Sequence, residues 1–344
     1  MQTTPFVNKQ IIRIKNHPRR VIFSEGEDLR VLLVAQELVK QEIAAPILFG
    51  DVQKIKDLAK EHNISLQFLR LINPKNAEDL SLFAQYFERS ERFRNRPISN
   101  LMETVAKPQN FACLMVQYGA ADLVVGGNIL GNASMSRSAQ LMIKPTNKHN
   151  NIFALNILEG KSIADINKQG LLFLSDANVI PDPSVEDLIM MTEEVGKMAH
   201  HFLEEKAKVA LLSHSNQGSY PTESSKKMQA ATSFIRQRTA EFEWPIECFG
   251  EVQFDVAIDA DAAAAKSDSL LLRKPKQADV LIFPNLDSAH ITLKALEHVG
   301  KLNVYGHLMM GLSRSIAIIP KTATTEQLFG TTILAATQSL LNRD

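Results

Sequence analysis

Two stretches of this 344-residue chain combine residue types that could do chemistry. The first, Ser213-His214-Ser215-Asn216-Gln217-Gly218-Ser219, follows the apolar run Val209-Ala210-Leu211-Leu212. Hydroxyls and backbone N–H groups at the end of a buried strand can hold an anion without any charged side chain. Serine and glycine are also ordinary loop residues, so the pattern alone fits a plain turn as well. The second stretch is Ala278-Asp279-Val280-Leu281-Ile282-Phe283-Pro284-Asn285-Leu286, followed by Lys294 and then by Tyr305-Gly306-His307-Leu308-Met309-Met310-Gly311-Leu312. An apolar run that ends in proline and a polar turn is how a buried parallel strand delivers groups to a cleft. A third candidate is the arginine run Arg89, Arg92, Arg94 and Arg96. It reads either as a basic lip for an anionic ligand or as a solvated helix face.

The elements that must position these groups alternate between strands and helices. Arg19 to Ser24 reads as a strand. Glu25-Gly26-Glu27-Asp28 then turns into a helix from about Leu29 to Lys40, whose acidic start suits a helix N-terminus. Pro46 to Gly50 is a second strand, Val52 to His62 a helix, and Leu66 to Ile72 a third strand. Leu80 to Arg96 reads as a helix, and a further helix near Phe111 to Tyr118 leads to the strand Ala121 to Gly127. A segment rich in glycine and small residues, Gly126 to Ser138, follows. Strands at Phe153 to Leu158, Leu171 to Ser175 and Val209 to Ser213 alternate with helices at Pro183 to Phe202 and Glu223 to Arg238. Ile246 to Gln253 is an edge segment. The serine three residues before Asp187 makes a capping start. This grammar is that of doubly wound α/β domains.

Length makes two domains the expectation, and 45% hydrophobic residues are enough to fill them. Lys plus Arg and Asp plus Glu both number 38, so there is no net charge. That balance argues against a nucleic-acid or membrane-surface partner. No apolar run reaches the length of a membrane span. The two cysteines, Cys113 and Cys248, stand beside apolar residues without a CxxC motif and read as reduced, mostly buried thiols of a cytoplasmic protein. No clustered His/Cys ligand spacing marks a metal site.

Several stretches together resemble the phosphate acetyl/butyryl transferase family. The run from Ala278 with Lys294 and Tyr305-Gly306 resembles its "ANVLIFPDL…K…YGPILQGL". Ser213, Ser215, Gly218 and Ser219 match its "LSYSTKGSG", with His214 in place of tyrosine. Phe23-Ser24-Glu25-Gly26-Glu27-Asp28 resembles "FPEGED". Asp122 to Gly127 resembles "ADGMVSGA", and Arg137 falls near the arginine of "LRPALQ". Leu174 to Pro183 resembles "MADTAVNPNP", and Gly250 to Ile258 resembles "GELQFDAAI". The resemblance runs from about Arg20 to the end of the chain.

It implies two doubly wound α/β domains with an interdomain cleft, in an isocitrate/isopropylmalate-dehydrogenase-like architecture. The first domain would be discontinuous, residues 1–148 plus 306–344, and the second would be residues 149–305. It implies coenzyme A or acetyl-CoA (or another acyl-CoA) and phosphate as ligands, no covalently bound cofactor, no metal in the chemical step, and a homodimer. In the family a carboxylate takes the proton from the thiol of coenzyme A, the thiolate attacks an acyl phosphate, and arginines and a serine steady the charge. Arg137, Ser213, Ser215, Gly218, Ser219, Lys294, His298 and Lys321 are the ligand-binding positions carried over.

The reactive segment departs from the family pattern. Counted without gaps, the "DLSRG" serine becomes Pro320, which offers neither hydroxyl nor N–H, and its arginine becomes Lys321, which keeps the charge without the fork. The general-base aspartate falls on Gln327, whose amide cannot accept a thiol proton; Glu326 is adjacent. Two of the family's arginines fall on His298 and on or near Ser90. This pattern of loss resembles the transferase-like C-terminal domain of bacterial NADP-dependent malic enzymes, which senses acetyl-CoA. The expectation drawn from it is a catalytically degenerate, acetyl-CoA-binding regulatory domain. The alternatives are a working transferase with a rearranged base, Glu326, and a hydroxyacid dehydrogenase, for which no dinucleotide fingerprint is found.

Overall fold

Apolar runs that alternate with amphipathic stretches fold into two α/β units in the computed structural model, which describes residues 1–90, 100–147, 150–167, 169–266 and 277–341. The chain divides into Met1–Asn150 with Tyr305–Asp344, and Asn151–Val304.

In the first unit the strands are β1 (Arg19–Phe23), β2 (Ala44–Phe49), β3 (Arg70–Ile72) and β4 (Leu123–Gly126), with β10 (Asn303–Met310) and β11 (Ser315–Ile318). Their order is β3-β2-β1-β4-β11-β10, all parallel except β10, which runs antiparallel to β11. The inner stretches of the middle strands, Val21 to Phe23, Leu123 to Val125 and Ile316 to Ile318, are apolar and buried, as a sheet covered on both faces requires. Crossover helices follow, among them Leu29–Lys40, which Asp28 caps through Arg30 N–H. The helix Thr325–Leu341 is buried almost all round from Leu328 to Ser339, which makes it a core element rather than an amphipathic cover. It packs on the helices Pro5–Lys15 and Leu29–Lys40 and on β11. Two of its polar side chains bond to the backbone of β10: Thr331 Oγ1 accepts Gly306 N–H at 3.0 Å, and Gln338 Nε2 donates to Met309 O at 3.0 Å.

The second unit contains β5 (Phe153–Glu159), β6 (Leu171–Ser175), β7 (Ala207–Leu212), β8 (Ile246–Val252) and β9 (Val280–Ile282) in the order β5-β6-β9-β7-β8. β5 is antiparallel to β6; the rest are parallel. The short β9 sits at the centre, and Leu281 and Phe283 join Leu158, Leu172, Leu174 and Ala210 in one apolar cluster. The helix Val185–Leu203 opens with a reciprocal capping box between Ser184 and Asp187.

Some elements differ from the sequence expectation. The third strand is only Arg70–Ile72, because Leu66 to Leu69 is not paired with β2. The helix after Leu80 is described to Arg89; Arg92, Arg94 and Arg96 lie outside the described residues. The small-residue segment after Gly126 is largely a helix, Asn132–Met142, which its alanine and serine content did not announce. No helix among the described residues is long and apolar enough to cross a membrane. Cys113 and Cys248 are buried free thiols. Burial raises the pKa of both, that of Cys248 to about 12.

Candidate functional site

In the first unit β1, β4 and β11 end side by side, with Phe23 opposite Val125 and Ile318 opposite Gly126. Three loops therefore leave one sheet edge together. Arg30 binds them to each other. Its guanidinium donates to Asp28 at 2.6 Å, to Lys321 O at 3.0 Å, to Ala323 O at 2.7 Å and to Asn128 O at 3.3 Å. Asn128 in turn donates to Asp28 at 2.9 Å. Burial alone would raise the Asp28 carboxyl, but the bonds from Arg30 and Asn128 outweigh it and hold it below the usual carboxylate range. The same pairing raises Arg30, mainly through its hydrogen bond to Asp28. Glu25 fastens the second loop: its Oε1 accepts the N–H groups of Ile129 at 3.1 Å and Leu130 at 2.5 Å.

The product of this scaffold is an anion-attracting corner. Gly131 (φ 92°) precedes the helix Asn132–Met142, whose N-terminus no side chain caps. The Lys321 side chain passes over it: a Cβ at Gly131 would lie 3.3 Å from Lys321 Cε and 3.9 Å from Nζ. An uncapped helix N-terminus and an ammonium group side by side both favour negative charge. Lys321 and Arg137, which lies on the same helix, are exposed and have no ion-pair partner among the described residues. Asn132 Nδ2 lies 3.2 Å from Nε2 of the buried His307.

The reactive segment runs past this corner. Pro320 starts a turn closed by Ala323 N–H donating to its carbonyl at 3.0 Å. Gln327 caps the next helix reciprocally with Thr324: Thr324 N–H donates to Gln327 Oε1 at 2.9 Å, and Gln327 N–H donates to Thr324 Oγ1 at 3.2 Å. Glu326 stands exposed in the first turn of that helix. Ser90 ends an earlier helix, its hydroxyl donating to Phe87 O at 2.7 Å.

The second unit builds its strand ends differently. The sequence reading offers the Ser213-to-Ser219 hydroxyls and N–H groups to an anion; in the structure several of them already have internal partners. The buried Glu251 takes two, its Oε1 accepting Ser215 Oγ–H at 3.1 Å and Gly218 N–H at 2.7 Å. Ser213 Oγ accepts Ser215 N–H at 3.2 Å and Ser219 Oγ accepts Asn216 N–H at 3.0 Å. Gln217 N–H donates to Glu251 O at 3.0 Å, and Tyr220 N–H donates to Ser215 Oγ at 3.0 Å. Ser215 is fully buried, so it holds the loop rather than touching a ligand. Nearby, Asp176 accepts N–H groups from Ala154, Asn178, Val179 and Ile180. Its desolvation still outweighs those bonds and raises its pKa to about 6. On the helix Leu286–His298, Lys294 pairs with Glu297 at 2.7 Å, and the His298 ring is largely exposed.

Arg30, Glu25 and Glu251 escaped the sequence reading as working residues. A signal existed for Arg30: a cation in the first turn of a helix opposes the helix dipole, so it calls for a carboxylate partner. The two glutamates stood inside recognised motifs, without a reason to single them out.

Sheet and loops together describe an α/β protein whose strand-end loops meet at one sheet edge with exposed cations beside them. Residues 6–336 match the family model "Phosphate acetyl/butaryl transferase", and the chain belongs to that family. It is 26% identical over 336 residues to a phosphate acetyltransferase of Acetivibrio thermocellus, covering 97% of this chain and 98% of the relative. It is 27% identical over 327 residues to that of Clostridium acetobutylicum, covering 94% and 96%. Its fold matches the crystal structure of a phosphotransacetylase from Streptococcus pyogenes with a TM-score of 0.87 at 23% identity, over 99% of this chain and 100% of that one.

Proposed function

We propose that this protein is a working phosphate acyltransferase that exchanges an acetyl group between coenzyme A and phosphate. The observation that carries it is Lys321 laid over Gly131 at the uncapped start of the helix Asn132–Met142. That corner suits a phosphate or the phosphates of coenzyme A, with Arg137 as a further cation. The relatives support the reading, since they are phosphate acetyltransferases matched over nearly their whole length. Glu326 supplies the base. Its carboxylate takes the thiol proton of coenzyme A, the sulfur attacks the carbonyl carbon of acetyl phosphate, the C–S bond forms and the C–O bond to phosphate breaks. Gln327 keeps the helix cap in place of a carboxylate. Lys294 and His298 remain candidate contacts for the phosphate-rich ligand, and Ser213, Gly218 and Ser219 act through the shape of their loop. Two buried reduced thiols fit the cytoplasm. Ile291, Phe234 and Phe242, exposed on helices of the second unit, and Val299 just past the end of one, suit a homodimer; light scattering at twice 38.3 kDa tests that.

The deciding experiment supplies acetyl-CoA and phosphate to the purified chain and follows release of the free thiol together with acetyl phosphate. Turnover in the ordinary range of ~1–10³ s⁻¹ is expected. A second reading, the acetyl-CoA-binding regulatory domain of malic-enzyme type, draws on Pro320 and Gln327. It wins if turnover is absent while acetyl-CoA still raises the melting temperature.

A further inference from the structure

β1, β4 and β11 begin, as well as end, side by side. At their starting edge lies a cavity of about 100 Å³ lined by Arg20, Gly119, Asp122, Arg314, Ser315 and Ser339. Since one water needs only ~10–15 Å³, there is room for several waters or one small polyatomic ion.

The charges in this cavity do not balance. Arg20 is committed to Asp122, donating through Nε at 3.2 Å and Nη2 at 3.1 Å. It also donates to Ala120 O and Gly119 O, both at 3.0 Å. The hydrogen bond to Asp122 is the largest cause of its raised pKa. Asp122 also accepts Arg20 N–H at 2.8 Å. Arg20 and Asp122 thus pair with each other, and Arg314 is a second cation of the lining. Its Nε is buried without a hydrogen-bond partner, and no described residue forms an ion pair with its guanidinium. Arg314 itself is half-buried; a buried guanidinium N–H without a partner is costly, and its outer nitrogens stay open to an anion. Ser339 does not compete as a ligand donor, because its hydroxyl already donates to Ala336 O at 2.7 Å.

We propose that this cavity is a binding site for a small oxyanion, such as inorganic phosphate or a short carboxylate, gripped by Arg314 beside Ser315. A planar guanidinium matches either ion through two parallel bonds. The site stands at the start of β11 and Lys321 beyond its end, so an ion here leaves the proposed transfer corner unobstructed.

Crystals of the wild-type chain soaked in selenate should show an anomalous peak within hydrogen-bond reach of Arg314. Titration calorimetry with phosphate, sulfate and acetate separates the sources: binding of the first two points to a phosphate-type ligand, binding of acetate alone to a carboxylate. These titrations use a background carrying Arg137→Ala and Lys321→Ala, so that the transfer corner contributes little. In that background Arg314→Gln should weaken binding by about tenfold or more, the worth of one charged hydrogen bond; Arg314→Lys, which keeps the charge, should lose less. Unchanged affinity in Arg314→Gln, or a selenate soak with no peak at Arg314, overturns the proposal. The soak needs no variant, so a misfolded Arg314→Gln would leave the question decided.

Discussion

Each unit gathers loops at the ends of parallel strands, and each places buried carboxylates there, but the two use them in opposite ways. In the first unit Asp28 faces the guanidinium of Arg30, and its pKa lies below the ordinary value. In the second Asp176 meets only backbone N–H groups, and burial drives its pKa up to about 6. The cations follow suit. Lys321 and Arg137 have no partner among the described residues, while Lys227 is held by Asp182 and by Pro284 O. Two donors of the Ser213-to-Ser219 loop are taken up by the Glu251 carboxylate. A strand-end loop can thus be a ligand site or a closed internal network, and residue type alone does not say which. What decides is whether a buried carboxylate has already taken the donors.

The comparison breaks most readily at Glu326. If the first unit carries the chemistry, Glu326→Gln should lower turnover by about 10²–10⁴-fold, the usual worth of a general base, while Gln327→Ala should cost some helix stability and little rate. Turnover of Glu326→Gln at the wild-type level would remove Glu326 as the base. Next in size is the closed network of the second unit. Glu251→Ala orphans two donors and should cost roughly 2–6 kcal/mol at about 1–3 kcal/mol per buried group, read from urea midpoints. A midpoint near that of wild type would mean that solvent reaches the loop and that its donors are available after all.

A smaller effect is expected at Lys321. Lys321→Ala should raise KM for the phosphate-bearing substrate several-fold and change stability by less than about 0.5 kcal/mol, since no partner is lost. Equal loss of stability and of binding would place Lys321 in the scaffold. The smallest effect is in the pH dependence, and its sign differs between the units. Asp28, depressed in the fold, stabilises above its unfolded pKa and loses that contribution as pH falls through its folded value. Asp176, raised in the fold, contributes fully below its unfolded pKa and loses that contribution as pH rises through about 6. Carboxyl carbon NMR of the two aspartates checks this directly; an Asp176 titrating near the ordinary aspartate value would show its four N–H donors outweighing burial.

Much of the scaffold was legible in residue order. Arg19–Phe23, Leu29–Lys40, Leu171–Ser175 and the Ser184–Asp187 cap are written in local pattern. Apolar periodicity and capping chemistry act within a few residues, so a linear reading catches them. The helix Asn132–Met142 was harder, because alanine, serine and methionine carry no sharp period. The reading of a degenerate regulatory domain rested on Pro320 and Gln327 taken one position at a time. It gives way to the proposed enzyme because the relatives span this chain almost end to end, and because Gln327 keeps a capping role that a carboxylate could also fill.

The sequence by itself determined the family, the alternation of strands and helices, and the charge-neutral, thiol-poor character of the chain. Each depends on residue type and near-neighbour spacing. Only the tertiary structure decided which polar groups remain available. Glu251 reaches Gly218 across 33 positions, Arg30 reaches Ala323 across 293, and Asn132 meets His307 across 175. A hydrogen-bond donor binds one partner at a time, and whether that partner is internal or a ligand depends on which distant strands the sheet sets side by side.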